Sequence, residues 1–208
     1  HVPALDERQA DSKLLAYGYL THEAGHLRHT DFAFPPLTEP LANFLEGVIE
    51  DVRIENAVLG DYPGSRITMD TVVSTLIDRG EWVPVTPTDQ PVDILANGFL
   101  ALARYRYRQQ AQLETHARMA EQVMRQVFTP RFVNRLKGLM TGIAGVKSTA
   151  ESSALALRIM ALIAEESQPE VTPQVHQDSQ EPQGTQGNQG TSQQEGGEQA
   201  DASGADTA

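Results

Sequence analysis

The chain has 208 residues, with 28 acidic against 16 basic side chains, a formal net charge of −12 and no cysteine. The lack of cysteine excludes disulfides, thiolate metal sites and cysteine nucleophiles, so any metal must be held by His and carboxylate groups. The acidic balance argues against nucleic-acid binding as the main role. No run approaches the roughly 20 apolar residues needed to span a membrane, and a cytoplasmic location is expected.

Taken in chain order, Leu5 to Arg28 reads as a first helix. It contains His22-Glu23-Ala24-Gly25-His26, an H-E-x-x-H run. Prolines 35, 36 and 40 break the chain into a loop, and Thr38 is a candidate cap for a second helix from about Leu41 to Leu59. Leu41, Phe44, Leu45, Val48, Ile49 and Val52 form its apolar stripe. Gly60-Asp61-Tyr62-Pro63-Gly64 is a stop and turn. Ile67 to Asp78 reads as a third helix. A proline-rich connection follows, with a short extended piece expected at Trp82 to Val85. Asp93 to Gln126 is one long helix or two in series. Pro130 opens another that frays near Gly138, Gly142 and Gly145, and Glu151 to Glu166 is the last. No period-2 strand pattern is present, so the fold expected is mainly α, with little or no sheet. Residues 1–167 make one helical domain. Residues 168–208 hold no Lys, Arg or aromatic residue and more than half of the net negative charge, a composition expected to be a disordered acidic tail or linker. Beginning at His1, the chain reads as a fragment or processed product.

The chemistry lies in the H-E-x-x-H run. Positions i and i+4 of a helix share one face, so His22 and His26 can reach one metal ion while Glu23 serves as base for a water molecule. This is the zinc metallopeptidase arrangement, and it needs a third ligand. The metzincin pattern requires Gly at position 29 and His at position 32, where this chain has His29 and Phe32. A carboxylate from the second helix is the alternative. Glu46 and Glu50, i,i+4 neighbours, lie 20 and 24 residues after His26, and Asp51 and Glu55 form a second such pair. So many acids on one helix need something positive to face them. Zinc and its histidines fill that role, with a spare carboxylate orienting a ligating His and Arg53 pairing with the others or stabilising charge on a substrate carbonyl. His29 and His116 read as surface residues, Asp31 and Tyr62 as turn residues, Met119, Met124, Met140 and Met160 as packing, and Arg104 to Arg108 as a solvated face.

Together, His22-Glu-Ala-Gly-His-Leu-Arg-His-Thr-Asp-Phe32 and Ile49-Glu-Asp-Val-Arg-Ile-Glu55 resemble the N-terminal metallopeptidase-like region of cobaltochelatase T-subunit-related proteins of bacteria, phages and plasmids. The Tyr62-Pro63-Gly64 turn fits the same group, and the resemblance covers about residues 14 to 66. It implies a zincin-like, gluzincin-type helical domain in which the H-E-x-x-H helix packs on the acidic helix. It places the family's acidic pair at Glu50-Asp51, which favours Glu50 over Glu46 as third ligand. The implied site is one zinc ion on His22, His26 and Glu50, with Glu23 as the base and a peptide or protein as substrate. The same resemblance implies an acidic linker, a von Willebrand factor A domain and a partner AAA+ ATPase, and with them a second possibility: a non-catalytic metal-binding scaffold of a cobaltochelatase-like complex.

Overall fold

The sequence marks its own helix starts. Proline needs no N–H partner in the first turn and presets the helical φ, and three helices use it. These are α2 (Pro40–Asp61), α4 (Pro91–Tyr107) and α6 (Pro130–Met140). The remaining helices are α1 (Ser12–His29), α3 (Ser65–Asp78), α5 (Glu114–Val127) and α7 (Thr149–Glu166). The computed structural model describes residues 12–167. Leu5 to Asp11 and the acidic tail expected from residue 168 lie outside them. Among the described residues there is no strand, and no helix is long and apolar enough to cross a membrane.

Local chemistry adjusts several expected boundaries. Glu39, not Thr38, caps α2, its carboxylate accepting from Ala42 N at 2.6 Å. Thr129 and Ser148 cap α6 and α7 through their hydroxyls. Residues 93–126 form two helices. α4 ends where Gln109 takes φ 60°, a left-handed conformation unusual for a residue with a Cβ, and a short 3₁₀ turn leads into α5. The glycine-marked end of α6 is also a 3₁₀ turn, Thr141–Gly145, rather than frayed chain. Trp82 to Val85 forms no strand.

The core sits where α2, α4, α5, α6 and α7 meet. Leu45, Ile49 and Val52 of α2 pack with Ile94, Phe99 and Leu102 of α4, Met124 of α5, Phe132 and Leu136 of α6 and Ile159 of α7, all at most 2 % exposed. Met124 and Met140 are buried as expected, whereas Met119 is 39 % exposed. α1 is different. Leu15 is its one buried large apolar side chain, while Leu14, Tyr17, Leu20 and Leu27 are exposed.

Glycines bring α1 against its neighbours. A Cβ at Gly25 would stand 3.0 Å from Ile54 Cδ1 and 3.1 Å from Val58 Cγ2 of α2. One at Gly18 would stand 2.4 Å from Val72 Cγ2 and 2.5 Å from the Thr68 carbonyl oxygen of α3. Gly18→Ala gains about 1 kcal/mol of helix propensity. It must also displace backbone, and overpacking of that kind costs about 1–3 kcal/mol. Gly47, exposed on α2, has nothing within 4 Å of its missing Cβ. In thermal melts Gly18→Ala is expected to lower Tm and Gly47→Ala to raise it. Equal shifts would remove the close α1–α3 contact from the account.

Candidate metal centre

α1 and α2 cross so that the two histidines of the H-E-x-x-H run meet Asp51. His26 Nε2 is 3.1 Å and His22 Nε2 3.7 Å from the same Asp51 Oδ1. The imidazoles stand edge to face, with centroids 4.8 Å apart. All three side chains are partly exposed.

The other ring nitrogens are already engaged. His22 Nδ1 lies 3.0 Å from Glu55 Oε1, a carboxylate that only accepts, so Nδ1 carries the hydrogen. His26 Nδ1 lies 3.0 Å from Thr30 Oγ1, and Thr30 donates its own hydrogen to Glu50 Oε1 at 2.9 Å. His26 Nδ1 must therefore donate too. In their neutral forms both imidazoles turn an Nε2 lone pair toward one carboxylate oxygen. Acceptors facing acceptors at these distances call for a cation or a proton between them.

Glu55 is the deeper anchor. It is 2 % exposed and takes hydrogen bonds from Arg104 Nη2 at 2.8 Å and Arg108 Nε at 2.7 Å, besides that from His22. Burial pushes its carboxyl up, but Arg104, the His22 hydrogen bond and Arg108 outweigh this and hold it well below the usual carboxylate range. For His22, burial pushes the pKa down; the Glu55 hydrogen bond and the charges of Asp51 and Glu55 prevail, and it is raised. Arg104 and Arg108, expected on a solvated face, are buried at 8 % and 0 % exposure, and Arg104 Nη1 reaches within 3.9 Å of Asp51 Oδ2. Gln110, turned inward after Gln109, accepts from Arg104 Nε at 2.8 Å.

Glu50, the expected third ligand, is not among the side chains grouped with the two imidazoles. Its two oxygens take hydrogen bonds from Arg53 Nε and Nη2, Ser152, Thr149 and Thr30. Thr30 links it to the site, donating to Glu50 Oε1 and accepting from His26 Nδ1. Glu46 faces Ser153 of α7. Arg53 pairs with Glu50 and donates to the His29 carbonyl at 2.8 Å. Glu23, half-exposed, follows His22 on α1 and lies one turn before His26.

Around this group, Tyr62 is 55 % exposed and accepts from Arg28, consistent with its turn position. Asp31 caps its own turn at Ala33 N. His116, expected at the surface, is 5 % exposed, with Nε2 at 3.1 Å from the Trp82 carbonyl. The residues that sequence reasoning passed over are Asp51 as the acid facing the histidines, Thr30, and the Arg104–Arg108 pair. The last left a trace: two arginines four apart, one in the last turn of α4 and one at its C-cap, match an acid that must be buried.

Compared with known proteins, the chain matches no family model, no curated protein and no solved structure.

The electrostatics of Glu50 give a stability prediction. Burial raises its pKa, but the hydrogen bonds from Arg53, Ser152, Thr30 and Thr149 lower it from 4.5 to about 2. A carboxyl depressed in the folded state stabilises fully above its unfolded pKa, and that contribution is lost as pH falls through the folded value. Glu50→Gln should therefore cost on the order of 3 kcal/mol in urea unfolding at pH 7. The gap from wild type should narrow steadily between about pH 4.5 and about pH 2. A gap independent of pH would show that the carboxylate charge is not what α7 holds.

Proposed function

We propose that this domain is a zinc-dependent metallopeptidase-like hydrolase in which His22, His26 and Asp51 are the metal ligands and Glu23 is the general base. The observation that carries this reading is the convergence of two Nε2 lone pairs on one Asp51 oxygen, with both Nδ1 atoms held from behind. Two donors each about 2.0–2.1 Å from a tetrahedral zinc stand about 3.3 Å apart, and the Asp51 contacts of 3.1 and 3.7 Å bracket that spacing. Two imidazoles and a carboxylate suit zinc better than calcium or magnesium.

The zinc, when bound, would acidify a water molecule and polarise a substrate carbonyl. The protein's own groups do the rest. Glu55 and Thr30 fix the two rings in the tautomer that leaves Nε2 free, the outer-sphere support that ligating histidines need. Glu23 accepts the proton of the attacking water and returns it to the leaving amine. Arg104 keeps the second Asp51 oxygen in a positive field.

One observation favours a second reading, a structural metal in a non-catalytic scaffold. α1 buries little apolar surface, and the same three ligands would pin it to α2. Glu23→Gln separates the two. The enzyme reading expects this variant to keep stoichiometric zinc and an unchanged Tm while losing at least about 100-fold in hydrolysis of a peptide mixture. A zinc-bound wild type that cleaves nothing, and melts far lower after chelation, would establish the scaffold instead.

Metal content tests the ligand set. His26→Ala and Asp51→Ala should each abolish stoichiometric zinc on elemental analysis of purified protein. Glu50→Gln, acting through Thr30, should retain zinc with affinity weakened about 10–100-fold. Zinc retained by Asp51→Ala and lost by Glu50→Gln would return the third-ligand role to Glu50.

A further inference from the structure

Next to His22 the structure holds a cavity of about 190 Å³. Its lining is mostly apolar, with Val72, Val73 and Leu76 from α3, Leu100 from α4, and Trp82. An apolar cavity of about 150 Å³ is enough for a benzene-sized guest. The space therefore admits a leucine, methionine or phenylalanine side chain. The wall is held in place: Trp82 N donates to the Leu76 carbonyl at 3.0 Å, and the buried His116 meets the Trp82 carbonyl and packs its ring against the indole.

The charged groups of the lining are His22, Glu55 and Arg104, and they are already bonded among themselves. Glu55 accepts from His22, Arg104 and Arg108, and Arg104 donates to Glu55 and Gln110. A charged guest would lose its hydration and gain no free charged partner, the Tyr19 hydroxyl being a neutral polar group of the lining, whereas an apolar guest loses nothing. We propose that this cavity receives an aliphatic or aromatic side chain of the substrate, next to the scissile bond, and so sets a preference for bulky apolar residues. The proposal rests on reading His22, His26 and Asp51 as a hydrolytic metal centre.

Trp82 is the single tryptophan of the chain, so its emission reports filling of the cavity whether or not metal is bound. The full chain, metal-free and zinc-loaded, is titrated with 4-methylpentanamide and, as control, with acetamide. The larger amide should shift Trp82 emission in both forms at concentrations where acetamide has no effect. Leu100→Phe, shown folded by circular dichroism, should weaken that response at least ten-fold. In zinc-loaded protein, 4-methylpentanohydroxamate should bind at least ten times more tightly than acetohydroxamate. Equal responses to the two amides in wild type overturn the pocket, and this comparison needs no variant. Equal affinities of the two hydroxamates on zinc-loaded protein overturn its link to the centre. Failure of the protein to retain zinc at all sinks the underlying metal reading, and with it the substrate role, while the metal-free amide titration still decides whether the cavity takes an apolar group.

Discussion

The structure depends on burying the carboxylates of one helix. α2 carries Glu46, Glu50 and Glu55 at 8 %, 4 % and 2 % exposure within an otherwise apolar stripe. Desolvating an ion costs several kcal/mol unless partners restore what water supplied. Each carboxylate finds its partners on different elements. Glu46 takes a hydroxyl from α7; Glu50 takes two from α7, one from Thr30 and the guanidinium of Arg53; Glu55 takes the arginines at the end of α4 and an imidazole of α1. The hydrophobic core supplies the driving force for packing α4 and α7 on α2. The donor matching selects the rotation and height at which they pack, because a misplaced helix would strand a buried charge.

Asp51 is the exception, with its side chain 28 % exposed. Among the acids of α2 it is the one whose oxygen meets ring nitrogens that have no hydrogen to give in the neutral state. The two relays behind the rings, Glu55 to His22 and Glu50 through Thr30 to His26, come from either side of Asp51 in sequence. The same helix thus supplies a candidate ligand and the groups that orient the other two. Such second-layer contacts fix ring orientation and tautomer before any ion arrives, and here they are tied directly into the buried charge network of the core.

Much of this was legible in the sequence. The prolines that start α2 and α6, the stripe of α2, the glycine-rich turn after it, and the placement of His22 and His26 on one helical face all follow from local rules. The rotation of α2 did not. Glu46/Glu50 and Asp51/Glu55 are two i,i+4 pairs about 140° apart around one helix, and a count of residues from His26 cannot say which pair faces α1. That angle is set by Gly25 seating on Ile54 and Val58 and by the pairing of Glu55 with Arg104 and Arg108, contacts far apart in the chain. The arginines were misread for a related reason. An Arg-Tyr-Arg-Tyr-Arg run looks solvated until a left-handed Gln109, which no glycine announces, turns Arg108 and Gln110 inward.

Magnitudes favour Asp51 over Glu50 as third ligand of the proposed metal. Drawing Glu50 out to an ion would leave Arg53, Ser152 and Thr149 without their carboxylate, and the first two are 8 % and 0 % exposed. Each buried donor so stranded costs about 1–3 kcal/mol, more for the charged one. Exchanging one carboxylate ligand for another returns little against that sum. Asp51 moves at no such cost. Its partners are the two imidazoles themselves and a distant Arg104 that Glu55 and Gln110 already satisfy. With three carboxylates of α2 committed to buried partners, Asp51 is the one that meets both histidines of α1.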